Sequence, residues 1–279
     1  MKVLVPIKRV ADPDNANKVK IAEDGKAVTS EGLEWKLNPF DEWSLEAALR
    51  LTENAADKKR AGEVILVSIG PKDTAQTMRQ GLAMGAERGI LVESDDAELD
   101  SHVVAQVLAK IVEKESPDVV FLGKQSADGD SNVAGTKLAE LLDWPMVNYV
   151  TTMKTGDEGK SFEVKRELDV GQQTLKVEGP CIFTASDRIL QPHSVKNGVT
   201  PEDHAYPESD KARFASVRGI MMAKKKPIEE LSMDDLGVEA KRVNEYVAFA
   251  LPPARSGNTT FVESVEDLVE KLQTEAKVL

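Results

Sequence analysis

Residues 63–123 read EVILVSIGPKDTAQTMRQGLAMGAERGILVESDDAELDSHVVAQVLAKIVEKESPDVVFLG. Three short apolar runs, at Glu63–Ile69, Gly89–Val92 and Asp118–Leu122, alternate with two longer stretches of helical periodicity. Behind Asp73, a residue able to cap a helix, Ala75, Met78, Leu82 and Ala86 share one face. Over Asp100–Glu115 the stripe is Val103, Val104, Val107, Leu108, Ile111 and Val112. Short continuous apolar runs are strands buried on both faces, and parallel neighbours need a crossover of helical length. The strand–helix rhythm therefore predicts an α/β domain with a doubly wound, mostly parallel sheet.

Outward from this stretch, Lys2–Ile7 is a further strand and residues 11–31 are polar, with a hairpin-type turn at Asp24-Gly25. Asn38-Pro39-Phe40-Asp41 is expected to break the chain before a helix at about 42–55, with Leu45, Ala48, Leu49 and Thr52 on its inner stripe. On the other side, Asp130-Ser131-Asn132 is expected to open a helix with Val133, Leu138, Leu141 and Leu142 inward. Past Trp144-Pro145 the rhythm changes. Ser161–Leu168 and Gln173–Glu178 form a strand pair around Asp169-Val170-Gly171, and Pro180–Ala185 is a buried strand. Residues 187–213 are polar and aperiodic, Met221–Lys226 is basic, and Ser264–Ala276 is a terminal helix with a Ser264/Asp267 capping pair. The expected organisation is an α/β nucleotide-binding domain over 1–190, loops over 191–217, and an extended C-terminal arm over 218–279. An arm without its own compact core is expected to pack on another chain.

A net charge of −12 argues against general nucleic-acid binding, which needs a basic face. The single cysteine, Cys181, rules out an internal disulfide framework and sits in a buried strand as a small core residue. His102, His193 and His204 show no metal-ligand spacing, and no Ser-His-Asp or Cys-His pattern points to a hydrolase. No run reaches the roughly 18 apolar residues of a membrane span. Met1 leads straight into a strand, so no removable presequence and a reducing compartment are expected: bacterial cytoplasm, or mitochondrial matrix in a eukaryote.

Open parallel sheets bind ligands beyond the carboxyl ends of their strands. Three such ends carry suitable residues: Pro6-Ile7-Lys8, Ile69-Gly70-Pro71, and Gly123 through Asn132. The last is a long loop of small residues running into a helix, where free backbone N–H groups with Ser131 and Asn132 suit a phosphate. Asp128 and Asp130 fit as turn, cap or ribose-contacting residues. An ordinary capped connection accounts for the same pattern, so both readings stand at this point. Neither G-x-G-x-x-G after a strand nor a P-loop is present. Lys224-Lys225-Lys226 beside Met221 and Met222 reads as a solvated face or as a docking surface for acidic partners.

These motifs together resemble the electron-transfer flavoprotein β subunit over nearly the whole chain. They are KVLVPIKRV at 2–10, LNPFDEWSLEAALRL at 37–51, EVILVSIGP at 63–71, LAMGAERGI at 82–90, FLGKQSADGDSN at 121–132, VKRELDVG at 164–171, RGIMMAKKKPIEELS at 218–232 and PPARSG at 252–257. The resemblance implies a sheet of the adenine-nucleotide-binding type and a non-catalytic carrier subunit. It further implies a heterodimer whose α subunit holds most of an FAD at the interface, taking electrons from acyl-CoA and related dehydrogenases and delivering them to a membrane quinone reductase. It implies a structural AMP in β, at positions matching Pro6, Asn38, Pro39, Phe40, Asp41, Ile69, Gly123, Lys124, Gln125, Ser126, Ala127, Asp128, Gly129, Asp130, Ser131, Asn132, Val133 and Ala134. Ala134 stands where many relatives have threonine, so the N–H groups of Val133 and Ala134 would carry the phosphate. The matching dehydrogenase-recognition loop is Arg213, Phe214, Ala215, Ser216 and Val217, with Val217 as apolar anchor. Glu167 matches an acidic residue that positions the mobile FAD domain, and Arg166 lies beside it. Residues 191–212 depart from the family as an insertion of about 20 residues, longer than most connections. Two other readings stay open: a flavin-bifurcating form with a second FAD in place of AMP, and a nucleotide-sensing module of the universal-stress type.

Overall fold

The computed structural model describes the chain except for residues 30, 58 and 254–258, so the Ala-Arg-Ser-Gly part of the 252–257 motif lies outside the described residues. Contacts divide it into two units, one comprising 1–20 and 30–246 and the other 21–29 and 247–279.

The larger unit is built on a ten-stranded sheet. In chain order its strands are β1 (Lys2–Pro6), β2 (Glu63–Gly70), β3 (Arg88–Glu93), β4 (Val119–Gly123), β5 (Met146–Gly156), β6 (Ser161–Leu168), β7 (Gly171–Glu178), β8 (Cys181–Ala185), β9 (Val195–Lys196) and β10 (Ile228–Ser232). The order across the sheet is β7-β6-β5-β8-β4-β1-β2-β3-β10, with β9 alongside β5. From β5 to β10 every neighbour pair is parallel, as is β9 beside β5, whereas β6 runs antiparallel to both of its neighbours, β5 and β7. The helices of this unit are α1 (Pro39–Leu51), α2 (Thr74–Met84), α3 (Ser101–Glu115), α4 (Ala134–Leu142) and α5 (Val217–Ala223).

Alternation along β1 explains why both faces are covered. Val3 and Val5 enter one core with Leu45, Ala48 and Leu49 of α1 and Met78 and Leu82 of α2. Leu4 enters the other with Val103, Val107 and Ile111 of α3 and Leu138 of α4. Each of these side chains is buried, and each valine, leucine, isoleucine or methionine among them stabilises the fold by about 1.5–3 kcal/mol.

Three expectations need correcting. Asn38–Asp41 does not break the chain: Pro39 is the first helical residue, where its missing N–H costs nothing, and α1 ends at Leu51 rather than near Ala55. The next is α4, which starts at Ala134; Leu141 and Val133 face solvent, leaving Leu138 as its fully buried apolar residue. Finally, Asp73 occupies the N-cap position of α2 but gives its carboxylate to Arg9, 2.8 Å away, instead of capping the helix. Strands β5 and β10 had no counterpart in the sequence reading, and neither did helix α5.

Residues 191–212 are ordered against α1. The guanidinium of Arg50 is fully buried, donating to Glu46 at 2.7 Å and to the carbonyls of Leu190 and Gln191 at 2.9 Å, with the Tyr206 ring 4.3 Å from it. The Asn197 amide donates to the carbonyls of Arg50 and Leu51, which the end of a helix leaves without partners, and to that of Glu53 just beyond. Just past the segment, Arg213 donates to Glu46 and Glu53 at 2.7 and 2.6 Å.

In the smaller unit, Ala22 N–H donates to Ala27 across the turn at Asp24-Gly25, and Phe249 N–H donates to Gly25. Helix α6 (Val265–Lys271) is capped by Ser264, whose hydroxyl accepts from Asp267 N–H, and a wider helical turn continues it to Ala276.

Glu46 is fully buried between two arginines, so truncating it leaves the buried Arg50 and the half-buried Arg213 short of an acceptor. Glu46→Ala should lower the unfolding free energy in urea by about 3–5 kcal/mol. Glu34→Ala, which breaks the exposed pair with Lys18, should change it by no more than about 1 kcal/mol.

Candidate functional site

Chain connections leave β1 toward β2 on one side and reach β4 on the other, so the order reverses between β1 and β4. At such a switch point the strand ends splay and leave a crevice. Pro6 closes β1 and Gly123 closes β4 there, while Ile69 lies near the end of β2.

The first turn of α1 fills the base of the crevice. A Cβ added to Gly123 would stand 2.3 Å from Asp41 Oδ1 and 2.7 Å from the Phe40 carbonyl carbon, so only glycine allows this approach. The Asp41 carboxylate is buried and accepts from Lys8 N–H at 2.7 Å. Burial pushes its pKa up to about 7, against the pull of hydrogen bonds from Lys8, Asn38 and Gly123.

Asn38 precedes α1 but makes no side-chain cap on it. Its Nδ2 donates to the Gln125 carbonyl at 2.9 Å, and its Oδ1 accepts from Ala127 N–H at 3.1 Å. One amide side chain thus stands in for a strand partner and fixes the start of the 123–134 loop. Further along, Gln125 Nε2 donates to Asp130 at 2.6 Å, Asp130 N–H donates to the Ser126 carbonyl, and Lys8 pairs with Asp128 at 2.7 Å. Gly129 lies at the tip of this turn. Neither aspartate caps α4. Lys124 places its ammonium 5.2 Å from the Phe40 ring, which meets Trp43 edge-on.

Asp130 and Asn132 adopt left-handed backbone, with φ of 49° at each. Polar residues of this kind tolerate that region, and here they turn the chain into α4. Ser131 meets Ser101 at 3.2 Å, and Asn132 Nδ2 donates to Tyr149 Oη at 2.7 Å. Val133, at the N-cap, has no side-chain oxygen to offer the leading N–H groups of α4. The loop therefore presents the positive end of a helix at the crevice, with its flanking carboxylates already engaged. The structure brings the loop and Asn38–Asp41, which the resemblance had grouped, into contact. Sequence reading missed Tyr149, because β5 carries no clean alternation, and Ser101, which lies on a neighbouring helix.

A family model described as the electron transfer flavoprotein domain matches residues 26–236. Over the full length of both chains, this sequence is 40% identical to the electron transfer flavoprotein subunit beta of Bradyrhizobium diazoefficiens and 37% identical to the mitochondrial one of Arabidopsis thaliana. It is 39% identical to the human subunit over 276 residues, covering 98% of this chain and 97% of that one. The chain belongs to the electron transfer flavoprotein β-subunit family.

The remaining residues singled out in this β-subunit family member lie on other elements. Phe214 and Val217 are 80% and 77% exposed, and Ile220, Met221 and Met222 extend the apolar face along α5. Arg213 is turned inward onto Glu46 and Glu53, with its pKa raised above the ordinary value by those partners despite burial. Glu167, near the end of β6, pairs with Arg188 at 2.8 Å, while Arg166 donates to Gln173 across the hairpin. Among the described residues no group of three or more His, Cys, Asp or Glu could hold a metal ion, and no helix is long and apolar enough to cross a membrane.

Two outcomes follow for the crevice. Gly123→Ala should displace the first turn of α1 and depress the thermal midpoint, since the clash is with backbone and a buried carboxylate. Because Asp41 holds its proton more tightly folded than unfolded, its contribution to stability is complete below about pH 4 and is lost as pH rises through about 7. Asp41→Asn should flatten that part of the stability–pH curve, measured by urea unfolding across the range.

Proposed function

We propose that this chain is the nucleotide-holding and docking subunit of a heterodimeric electron-transfer flavoprotein, with no catalytic site of its own. The observation that carries the reading is the Asn38 clamp on the 123–134 loop, which leaves the N-terminus of α4 without a side-chain cap. A nucleotide monophosphate fits this arrangement. Its phosphate would take the N–H groups of Val133 and Ala134, compensating for the missing threonine hydroxyl, while the adenosine part would lie toward Pro6, Asn38–Asp41 and Ile69. AMP is the nucleotide that fits, in a structural role.

The partner α subunit would hold most of an FAD, which supplies electron transfer between dehydrogenase and quinone reductase. The residues of this chain do no bond chemistry in that scheme. Residues 123–134 keep the nucleotide and with it the crevice wall. Glu167, steadied by Arg188, presents a carboxylate that helps place the FAD-bearing domain of the partner. Phe214 and Val217, with the apolar face of α5, dock an acyl-CoA-type dehydrogenase; apolar anchors of this kind dominate docking energies when they fill a pocket. The C-terminal residues 247–279, whose Phe261, Val265 and Leu268 are exposed, pack on the α subunit.

The nucleotide content of the co-purified heterodimer tests the reading. Acid release followed by chromatography should yield one AMP and one FAD per heterodimer, whereas two FAD and no AMP would establish the bifurcating alternative instead. A chain that is stable and homodimeric alone, with no flavin-bearing partner, would favour the nucleotide-sensing module. For docking, Val217→Glu should abolish electron transfer from the dehydrogenase while leaving flavin content intact, as followed by anaerobic flavin reduction.

A further inference from the structure

Helix α5 has only seven residues and buries just one of them, Ala223. So short a helix does not persist in water on its own, and the apolar side chains it displays contribute nothing to folding it. Something else holds it in place.

Three contacts with α2 do so. Arg79 reaches from α2 and donates through Nη1 to the carbonyls of Ala223 and Lys226, at 2.6 and 2.5 Å. In return, Lys226 donates through Nζ to the carbonyls of Leu82 and Ala86, at 2.9 and 2.5 Å. Carbonyls at or just past the C-terminal end of each helix are thus met by a cation from the other helix or from the residues that follow it, the favourable sign for that end of a helix dipole. Between these caps Gly219 lies directly against α2, since an added Cβ would stand 2.4 Å from the Ala83 carbonyl oxygen. Upstream, Arg213 is locked onto the buried Glu46 and Glu53. The stretch 214–222 is therefore fixed at both ends, and its apolar groups are exposed between the two fixings.

We infer that Arg79, Gly219 and Lys226 are positioning residues for docking: they hold α5 in its binding conformation before the partner arrives. The inference rests on the docking role proposed above for Val217 and its neighbours. Ordering a loop at the moment of association costs affinity, and a preformed surface avoids that cost. The expected signature is a change in affinity without a change in the electron-transfer step.

The test uses the holo-heterodimer as acceptor for its acyl-CoA dehydrogenase, with acyl-CoA as donor, in steady state. Arg79→Met should raise KM for the flavoprotein roughly ten-fold with kcat and flavin content unchanged. Arg79→Lys, which keeps a cation able to reach two carbonyls, should restore most of the loss. Amide hydrogen exchange in the heterodimer alone should speed up over 217–226 in Arg79→Met and not in Arg79→Lys. Gly219→Ala, an independent variant on the exposed helix, should behave like Arg79→Met. Unchanged KM in both Arg79→Met and Gly219→Ala, beside a raised KM or lost transfer in Val217→Glu, overturns the positioning role alone. Unchanged transfer in Val217→Glu overturns the docking role and the inference with it.

Discussion

The contact between Gly123 and the first turn of α1 is the constraint on which the rest of the candidate site depends. Because β4 ends on a residue with no side chain, Asp41 can sit buried against it and receive the Lys8 N–H from the end of β1. That closes β1, β4 and α1 into one corner. Asn38, one residue before the helix, is then placed to hold Gln125 and Ala127 through its amide. The loop geometry and the orientation of the α4 N-terminus follow from that hold. A buried carboxylate is costly to ionise, and the observed N–H donors offset only part of the penalty.

The other half of α1 carries a second buried polar network. Glu46, Arg50, Glu53 and Arg213 share their charges over two acids and two bases, with the carbonyls of Leu190, Gln191 and Glu208 taking further Arg50 protons. An interior ion cluster contributes little net stability compared with apolar packing, but it tolerates few arrangements. Here it selects the path of residues 191–213, which would otherwise have little apolar surface to direct them.

How much of this was legible in the sequence varies from element to element. The strands β2, β3 and β4 and helix α3 were readable because burial on two faces, or on one stripe, leaves a periodic trace. Asn38-Pro39 was misread as a break, since proline interrupts a helix interior but suits its first position. β5 stayed hidden because Asn148, Tyr149 and the threonines that follow interrupt any alternation. Strand β10 stayed hidden because its edge position leaves Glu229 and Glu230 exposed. Helix α5 has no inward stripe at all, so periodicity could not report it. Arg50 carries no signal of its role in the sequence, since only tertiary structure brings Tyr206 and the carbonyls of Leu190 and Gln191 to it. The loop at 123–134 was conspicuous from its small residues, whereas its partners Tyr149 and Ser101 come from distant positions with no local signal.

Helix α1 has a consequence for engineering. Its N-terminal turn carries Asp41 beside Gly123, and its later turns carry Glu46 and Arg50, about 20 Å of rod from end to end. The 123–134 loop and the 213–223 segment are thus mounted on one shaft. Transplanting residues 214–222 from a relative would move the apolar face without its mountings. A portable cassette would have to include the acidic pair from α1 and its junction, and the arginine from α2, as well as the segment that displays the face.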